Sequence, residues 1–458
     1  MNGHAFIFWE RDPSGGAAEH GLKPLRARLP DLFRRATHPR ISLLPVAELF
    51  AQIGLGLSRP ADRDFASIAE AESGCWSDEI AEALSVLLPA YEQEASLSAL
   101  GRMAARWDLE RCLTNLRRLN AEEARTPAIL DERIVAPIII TGLPRTGSTF
   151  LHRLLAEDSE NLVLRVFQTI YPYPLASNAG SRDRRPDLVG RQLRGFELLA
   201  PEMRDVAPTE ARDPQECTET MVHLFQSLRL DTTHNIPSYR AWLDHHGYLP
   251  AYRFHKRFLQ HLQHQAGKGR WILKSPDHVF ALDAMLSVYP DARVVFLHRD
   301  PLQVIPSVAY LTEVLRRPFT TQIDRKGIGD QVTRDWIRGA ANMVEASRSG
   351  RFPEAQILHL HYRDLVGRPL ETIDLIYRRF GIDMDEPSRA RIAQTVAARP
   401  NGGYGRNAYS FAAHGLDPDA LRYGFRDYMN HFGLDSETDR TMISLRRQMA
   451  VGGSPGLA

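Results

Sequence analysis

A glycine-rich segment in the first half of the chain has the composition of an anion-binding loop. It reads Gly142-Leu143-Pro144-Arg145-Thr146-Gly147-Ser148-Thr149, and it follows an apolar run, residues 134–141, that is typical of a buried parallel strand. Leucines at helical spacing come next, so the pattern predicts a strand, a loop and a helix. The free N–H groups of such a loop and the positive end of the helix dipole stabilise a phosphate-like anion, and Arg145, Ser148 and Thr149 add side-chain donors.

The cation of this loop is displaced from the position that nucleotide hydrolases use. Their loop has a lysine directly after the second glycine, where this chain has Ser148, and the arginine here lies further forward, at Arg145. The sequence also lacks a convincing strand-terminal aspartate for magnesium, because His298 and Arg299 precede Asp300. A metal-dependent nucleotide kinase is therefore the alternative hypothesis, and a nucleotide-binding module without catalytic activity is another.

Two later segments carry polar residues at the ends of predicted strands. Residues 271–274 form an apolar run that ends in Lys274, a notable residue because the chain has only five lysines against 52 arginines. Residues 293–298 form a second run that Arg299 follows, and Ser307 comes eight residues later, about two turns into the next predicted helix. Arg299 and Ser307 can therefore converge on one phosphate.

Together, the three segments resemble the sulfotransferase family. The loop is similar to the family's phosphosulfate loop, Arg299 with Ser307 to its 3′-phosphate motif, and Lys274-Ser275-Pro276 to a segment of bacterial members. The resemblance covers about residues 70–435. It implies transfer of a sulfuryl group from 3′-phosphoadenosine 5′-phosphosulfate to a hydroxyl or amine of a small molecule, lipid or glycan, with no metal.

The resemblance also implies roles for individual residues. The 5′-phosphosulfate is held by five consecutive residues, Arg145, Thr146, Gly147, Ser148 and Thr149. Arg299 and Ser307 hold the 3′-phosphate, and Lys274 contacts the bridging or sulfuryl oxygens. Arg145 also stabilises charge on the leaving oxygen. Arg406, in a predicted turn near the C-terminus, is a candidate for a further contact with the nucleotide.

Candidates for the general base come from residue type and spacing. His278 lies four residues after Lys274 and titrates near neutral pH, so we expect it to take the acceptor's proton. Glu216 is the alternative. The similar tyrosylprotein sulfotransferases have a glutamate soon after the loop helix that looks like their base, but this chain has Gln168 there, which is not a useful proton acceptor.

The sequence leaves the acceptor undefined. Eight aromatic residues between about positions 160 and 265 either line an apolar acceptor pocket or belong to the core. They are Phe167, Tyr171, Tyr173, Phe225, Tyr239, Trp242, Tyr248 and Tyr252.

A parallel sheet is needed to bring these segments together. Residues 356–360 form a fourth apolar run, in addition to the three described above. Each run precedes a helix-like segment, so the predicted fold class is α/β with a parallel sheet. The resemblance implies the sulfotransferase fold, which is related to P-loop nucleotide kinases. Ile80, Ala83, Leu84 and Leu87 have helical spacing in the N-terminal part. We predict a mainly helical region over residues 1–130, a catalytic α/β domain over 131–400, and a segment over 401–458 that completes the site.

Composition limits the partners and the compartment. The chain has 458 residues with 57 basic and 56 acidic side chains, so it has no global field to attract nucleic acid or an anionic membrane. Its three cysteines, which lack metal-ligand spacing and are odd in number, are Cys75, Cys112 and Cys217. No apolar run approaches the ~18 residues that span a bilayer. We expect a cytoplasmic enzyme with no membrane span and no nucleic-acid partner.

Overall fold

A computed structural model describes residues 77–174, 182–398 and 409–434. Its strands are β1 (Ile138–Gly142), β2 (Asn161–Val163), β3 (Arg270–Lys274), β4 (Arg293–His298) and β5 (Ile357–His361). They form one sheet in the order β2-β3-β1-β4-β5, and every neighbouring pair is parallel. The α/β class with a parallel sheet is therefore confirmed.

Helices make up most of the remaining described chain. They are α1 (Asp78–Gln93), α2 (Ala99–Arg125), α3 (Ser148–Leu155), α4 (Val166–Ile170), α5 (Arg185–Leu199), α6 (Met203–Val206), α7 (Thr218–Met221), α8 (Leu228–Thr233), α9 (Pro237–His246), α10 (Leu249–Ala266), α11 (Leu282–Val288), α12 (Pro301–Arg316), α13 (Arg325–Arg348), α14 (Tyr362–Gly367), α15 (Pro369–Arg379), α16 (Glu386–Ala398), α17 (Pro418–Gly424) and α18 (Arg426–Phe432). Short 3₁₀ helices lie at Pro127–Asp131, Val222–Leu224, Pro276–Phe280, Glu354–Gln356 and Ala412–His414. No helix of the described ranges is long and apolar enough to cross a membrane.

Each face of the sheet carries its own hydrophobic core. Along β1, Ile139 packs into the larger core with residues of α1, α2, α10, α12 and α13. Ile138 and Ile140 point to the other face and pack with residues of α3, α15 and α16. Successive strand residues face opposite sides of a sheet, so burial on both sides requires the nearly continuous apolar runs that mark these strands in the sequence.

The carboxyl ends of three adjacent strands meet at one edge of the sheet. Gly142 at the end of β1 pairs with Leu297 of β4, and Ile140 pairs with Lys274 at the end of β3. Gly142 has a φ of +140°, and a Cβ there would lie 2.2 Å from the carbonyl oxygen of Leu297, so only glycine allows this close approach. The loops that follow β1, β3 and β4 therefore emerge side by side, as ligand-binding loops do in open α/β sheets.

Candidate active site

The loop between β1 and α3 is held in a strained, closed conformation. Gly147 is the N-cap of α3 with a φ of +84°, and Arg145 also has a positive φ, +62°. A non-glycine residue adopts such a value at an energetic cost, and these residues are concentrated at functional sites. Thr146 is fully buried, and its hydroxyl donates to the carbonyl of Leu143 over 2.7 Å. The Thr146 side chain thus closes the loop on itself.

The arginine of the loop contacts the serine of the second predicted phosphate motif. Arg145 Nε donates to Ser307 Oγ over 3.1 Å, and the guanidinium also donates to the carbonyl of Val206 over 2.9 Å. Arg299 donates to the backbone carbonyl of Arg145 over 2.7 Å, and its guanidinium lies 4.0 Å from the centroid of the Tyr362 ring. The fold therefore brings Arg145, Arg299 and Ser307 together.

Lys274 is buried directly beside this loop. Its side chain is only 3% exposed, its ammonium donates to Thr149 Oγ1 over 3.3 Å, and it forms an ion pair with Glu216. The N–H of Cys217 donates to the carbonyl of Lys274 over 2.9 Å, which fixes the segment that carries Glu216 against β3. A buried ammonium group is stable only with a counter-charge, and Glu216 supplies it.

A cavity of about 570 Å³ opens beside these groups and is called the main cavity below. Its polar wall includes Arg145, Thr149, Lys274, Glu216 and Asp277. Much of the remaining wall is apolar and includes Trp107, Leu193, Phe196, Leu311, Phe319 and Trp336. The volume and the combination of apolar surface with converging polar groups are typical of a small-molecule site.

The aromatic residues of the main cavity are not the candidates named from the sequence. None of those eight side chains lines the cavity that the described residues form. Phe225, Tyr239 and Tyr252 are instead fully buried in the larger core. The predicted pocket lining between about positions 160 and 265 is therefore mainly core.

The family of the chain follows from its match to a family model. The family model described as "Sulfotransferase family" matches residues 137–386, more than half of the chain, and the match includes Arg145, Lys274, Arg299 and Ser307. The chain belongs to the sulfotransferase family. It is an enzyme that transfers a sulfuryl group from a donor, and the nucleotide kinase and the inactive nucleotide-binding module are not favoured.

Individual sulfotransferases show how far the similarity extends. The chain is 25% identical over 337 residues to the omega-hydroxy-beta-dihydromenaquinone-9 sulfotransferase Stf3 of Mycobacterium bovis, which is 70% of this chain and 81% of that protein. The crystal structure of sulfotransferase STF1 from Mycobacterium tuberculosis H37Rv is 29% identical, with a TM-score of 0.68 over 79% of this chain and 99% of that one. STF9 from Mycobacterium avium, at 24% identity, shares the fold with a TM-score of 0.69 over 83% and 98% of the two chains. The predicted sulfotransferase fold is confirmed.

His278, the preferred base from the sequence, does not line the main cavity of this sulfotransferase. Its side chain is buried, and the Tyr252 hydroxyl lies within hydrogen-bond distance of its Nδ1. Burial, with smaller effects of His255 and Lys274, lowers the pKa of His278 to about 3. The assignment of His278 as the base is therefore corrected, because the 3₁₀ turn Pro276–Phe280 directs it into the core. Glu216, the predicted alternative, does line the cavity.

Sequence reasoning missed two residues at this site. Tyr362 directly follows β5, its ring stacks on Arg299, and a Cβ at Gly147 would lie 3.1 Å from that ring. Asp277 lines the main cavity, and burial together with the Glu216 carboxylate raises the pKa of Asp277 to about 7. A usable signal existed for both, since each lies at or just beyond the carboxyl end of a predicted strand.

Two further residues were considered from the sequence, Arg406 and Gln168. Arg406 lies outside the described residues. Gln168 accepts a hydrogen bond from the backbone N–H of Arg165 over 3.0 Å at the start of α4, so its side chain caps a helix. Within the described ranges, no three His, Cys, Asp or Glu side chains form a group that can hold a metal ion.

Proposed function

We propose that this enzyme transfers the sulfuryl group of 3′-phosphoadenosine 5′-phosphosulfate to a hydroxyl group of an apolar small molecule or lipid. The observation that carries the proposal is the contact between two anion-binding segments. Arg145 of the loop donates to Ser307, and Arg299 donates to the carbonyl of Arg145. A donor with phosphates at both ends of its ribose needs two anion sites, whereas the phosphate chain of ATP needs only one.

The charges of the site fit such a donor. The N–H groups at the start of α3, with the hydroxyls of Ser148 and Thr149, suit the 5′-phosphosulfate. Arg299 and Ser307 suit the 3′-phosphate, because a forked guanidinium and a hydroxyl bind phosphate oxygens well. The buried ammonium of Lys274, beside Thr149, suits the sulfuryl oxygens.

The transfer itself needs alignment and charge stabilisation more than covalent chemistry by the protein. The acceptor oxygen bonds to sulfur while the bond between sulfur and the 5′-phosphate oxygen breaks, and the electron pair leaves with the bisphosphate. Arg145 and Lys274 stabilise the negative charge that develops on the leaving and sulfuryl oxygens. The acceptor's proton goes to a carboxylate of the main cavity, where Glu216 and Asp277 lie.

An apolar acceptor is favoured by the wall of the main cavity. Side chains from four different helices contribute to it, including Trp107, Phe196, Leu311 and Trp336. An apolar acceptor buries its own surface against these side chains, which stabilises the complex. The related Stf3 is named for a menaquinone acceptor, which supports a lipid-like substrate here as well.

Product analysis tests this proposal directly. The enzyme is incubated with ³⁵S-labelled donor and, separately, 1-dodecanol, a simple phenol and a hydroxylated quinone, and sulfated products are identified by mass spectrometry. We expect transfer to at least one of these compounds and a loss of at least about 10²-fold in Arg145→Ala. Arg325→Ala is the matched control, because Arg325 is exposed and pairs with Glu313 away from the main cavity. No sulfated product, or an active Arg145→Ala enzyme, contradicts the proposal.

A further inference from the structure

Asp277 lies between the main cavity and a second, much smaller one. It follows Lys274 by three residues, in the 3₁₀ turn Pro276–Phe280, and it lines both cavities. The smaller cavity has a volume of about 10 Å³, close to the room that one water molecule needs. The charges that act most on the Asp277 carboxyl group all belong to residues of the main cavity, Glu216, Arg240, Asp335 and Lys274. Asp277 thus lies at the boundary of the two cavities, beside the charged groups of the main one.

The small cavity contains polar atoms that need a partner. His278 Nε2 and Gln226 Oε1 are both buried with no hydrogen-bond partner among the described residues, and both residues line this cavity. In the tautomer in which the Tyr252 hydroxyl donates to Nδ1, the neutral His278 ring carries its proton on Nε2. A water molecule there can accept from Nε2 and donate to Gln226 and to the Asp277 carboxylate. Buried waters typically make about three such bonds.

We propose that Asp277 is the general base of the sulfuryl transfer and that His278, acting through one water molecule, is a positioning residue for it. The inference rests on the proposed function. In the step, the acceptor O–H bond breaks and its proton moves to an Asp277 carboxylate oxygen. At the same time the acceptor oxygen bonds to sulfur, and the bisphosphate leaves with the electrons of the broken S–O bond. The role predicted for His278 is thereby transferred to its neighbour in the chain.

The surroundings favour Asp277 over Glu216 as the base. Glu216 is paired with the buried Lys274, so protonating it would remove the counter-charge of an ammonium group. The Asp277 carboxylate has no hydrogen bond or ion pair among the described residues; only the backbone N–H of Asp277 bonds a side chain, donating to Ser275 Oγ over 3.2 Å. Burial raises the pKa of Asp277 to about 7, and a base is most effective when its pKa is near the working pH. The titratable and charged groups that face it are Glu216, Lys274, Arg240 and Asp335 in the main cavity, and Tyr248, Tyr252 and His278 at the small one.

The first test compares Asp277→Asn and Asp277→Glu with the wild-type enzyme. With an acceptor accepted in the product screen, or with water as the acceptor in slow donor hydrolysis, we expect Asp277→Asn to lower kcat by about 10²–10⁴-fold. The wild-type rate should fall below about pH 7 as the base becomes protonated, and this fall should be absent from the residual rate of Asp277→Asn. Asp277→Glu should recover part of the rate. An Asp277→Asn enzyme within about threefold of wild type overturns the proposal.

The second test separates positioning from folding with two similar histidines. His255 is a matched control for His278. It is also buried, its Nδ1 is hydrogen-bonded to the Tyr289 hydroxyl, and its Nε2 has no hydrogen-bond partner among the described residues. It does not line the small cavity. We expect His278→Gln to move the midpoint of the pH–rate profile and His255→Gln to leave it in place. Equal shifts in both variants overturn the role of His278.

A spectroscopic measurement makes the result independent of the acceptor. Infrared spectra of the wild-type enzyme should show a protonated carboxyl band that titrates near pH 7 and is missing in Asp277→Asn. The absence of such a band refutes the assignment of the base. Failure of the wild-type enzyme to bind 3′-phosphoadenosine 5′-phosphate refutes the proposed function instead, so the two failures are distinguishable.

Discussion

The ion pair between Lys274 and Glu216 should respond asymmetrically when either partner is neutralised. The lysine side chain is 3% exposed, whereas the glutamate side chain is 36% exposed. Glu216→Gln therefore leaves a buried ammonium without its counter-charge, but Lys274→Met leaves a carboxylate that water still reaches. Breaking a fully buried pair from one side costs about 3–5 kcal/mol. Because Glu216 is partly hydrated and Thr149 still accepts from Lys274, we expect about 1–3 kcal/mol for Glu216→Gln and less than about 1 kcal/mol for Lys274→Met.

Urea unfolding at pH 7 measures this asymmetry. The double variant Glu216→Gln/Lys274→Met should be close to Lys274→Met alone, since the second change removes the unpaired charge. Saturating 3′-phosphoadenosine 5′-phosphate should add about 2.7 kcal/mol at a hundredfold excess over Kd to any variant that binds it. It should stabilise Glu216→Gln more than Lys274→Met at equal concentration, because an anion replaces the lost carboxylate. If Lys274→Met is the less stable single variant, the account of this buried charge is wrong.

Three further predictions concern the sheet, the main cavity and the carboxyl group of Asp277. Gly142→Ala should destabilise the fold by about 3 kcal/mol or more, because its Cβ would meet a backbone carbonyl 2.2 Å away. The control Gly367→Ala should not destabilise the fold, since no atom lies within 4 Å of its Cβ. Equal stability of the two variants in thermal melts would refute the close-approach argument. Leu311→Trp should fill part of the main cavity and lower the rate of sulfuryl transfer to a long-chain alcohol at least about tenfold. The affinity for the bisphosphate, measured by calorimetry, should be unchanged. An unaltered transfer rate would exclude this cavity as the acceptor site. The folded state holds the Asp277 proton up to about pH 7, whereas the unfolded chain releases it near pH 4, so the stability of the wild type falls as the pH rises between these values. The stability of Asp277→Asn relative to wild type should therefore be greater at pH 8 than at pH 4. A difference in urea midpoints that does not depend on pH would contradict the raised pKa of Asp277.

The sequence predicted the parts of the fold that depend on local pattern. Strand β4 was predicted at residues 293–298 and is observed at Arg293–His298, β3 begins one residue before its predicted start, and β5 is displaced by one residue. These strands are buried on both faces, so their apolar runs are continuous and easily recognised. The limits of the family match, residues 137–386, lie inside the predicted catalytic domain, 131–400, whose boundaries remain predictions.

Features that depend on tertiary packing were not predictable in the same way. Strand β2 has only three residues, Asn161–Val163, and exists because it pairs with β3. The main cavity is built by side chains as distant in sequence as Trp107 and Trp336, which no local spacing brings together. His278 and Asp277 are adjacent in sequence, yet one turns into the core and the other lines the main cavity, because the turn that carries them packs against α10 and α13.

Calorimetry with 3′-phosphoadenosine 5′-phosphate tests most directly that two anion-binding segments together hold one doubly phosphorylated donor. The wild-type enzyme should bind this compound, and Arg299→Ala should weaken binding by about 10–100-fold, the loss expected for charge-assisted hydrogen bonds of about 1.5–3 kcal/mol. Arg325→Ala, which removes an exposed arginine away from the main cavity, should bind as the wild type does. Absence of binding to the wild-type enzyme, or equal affinity after Arg299→Ala, would contradict the account.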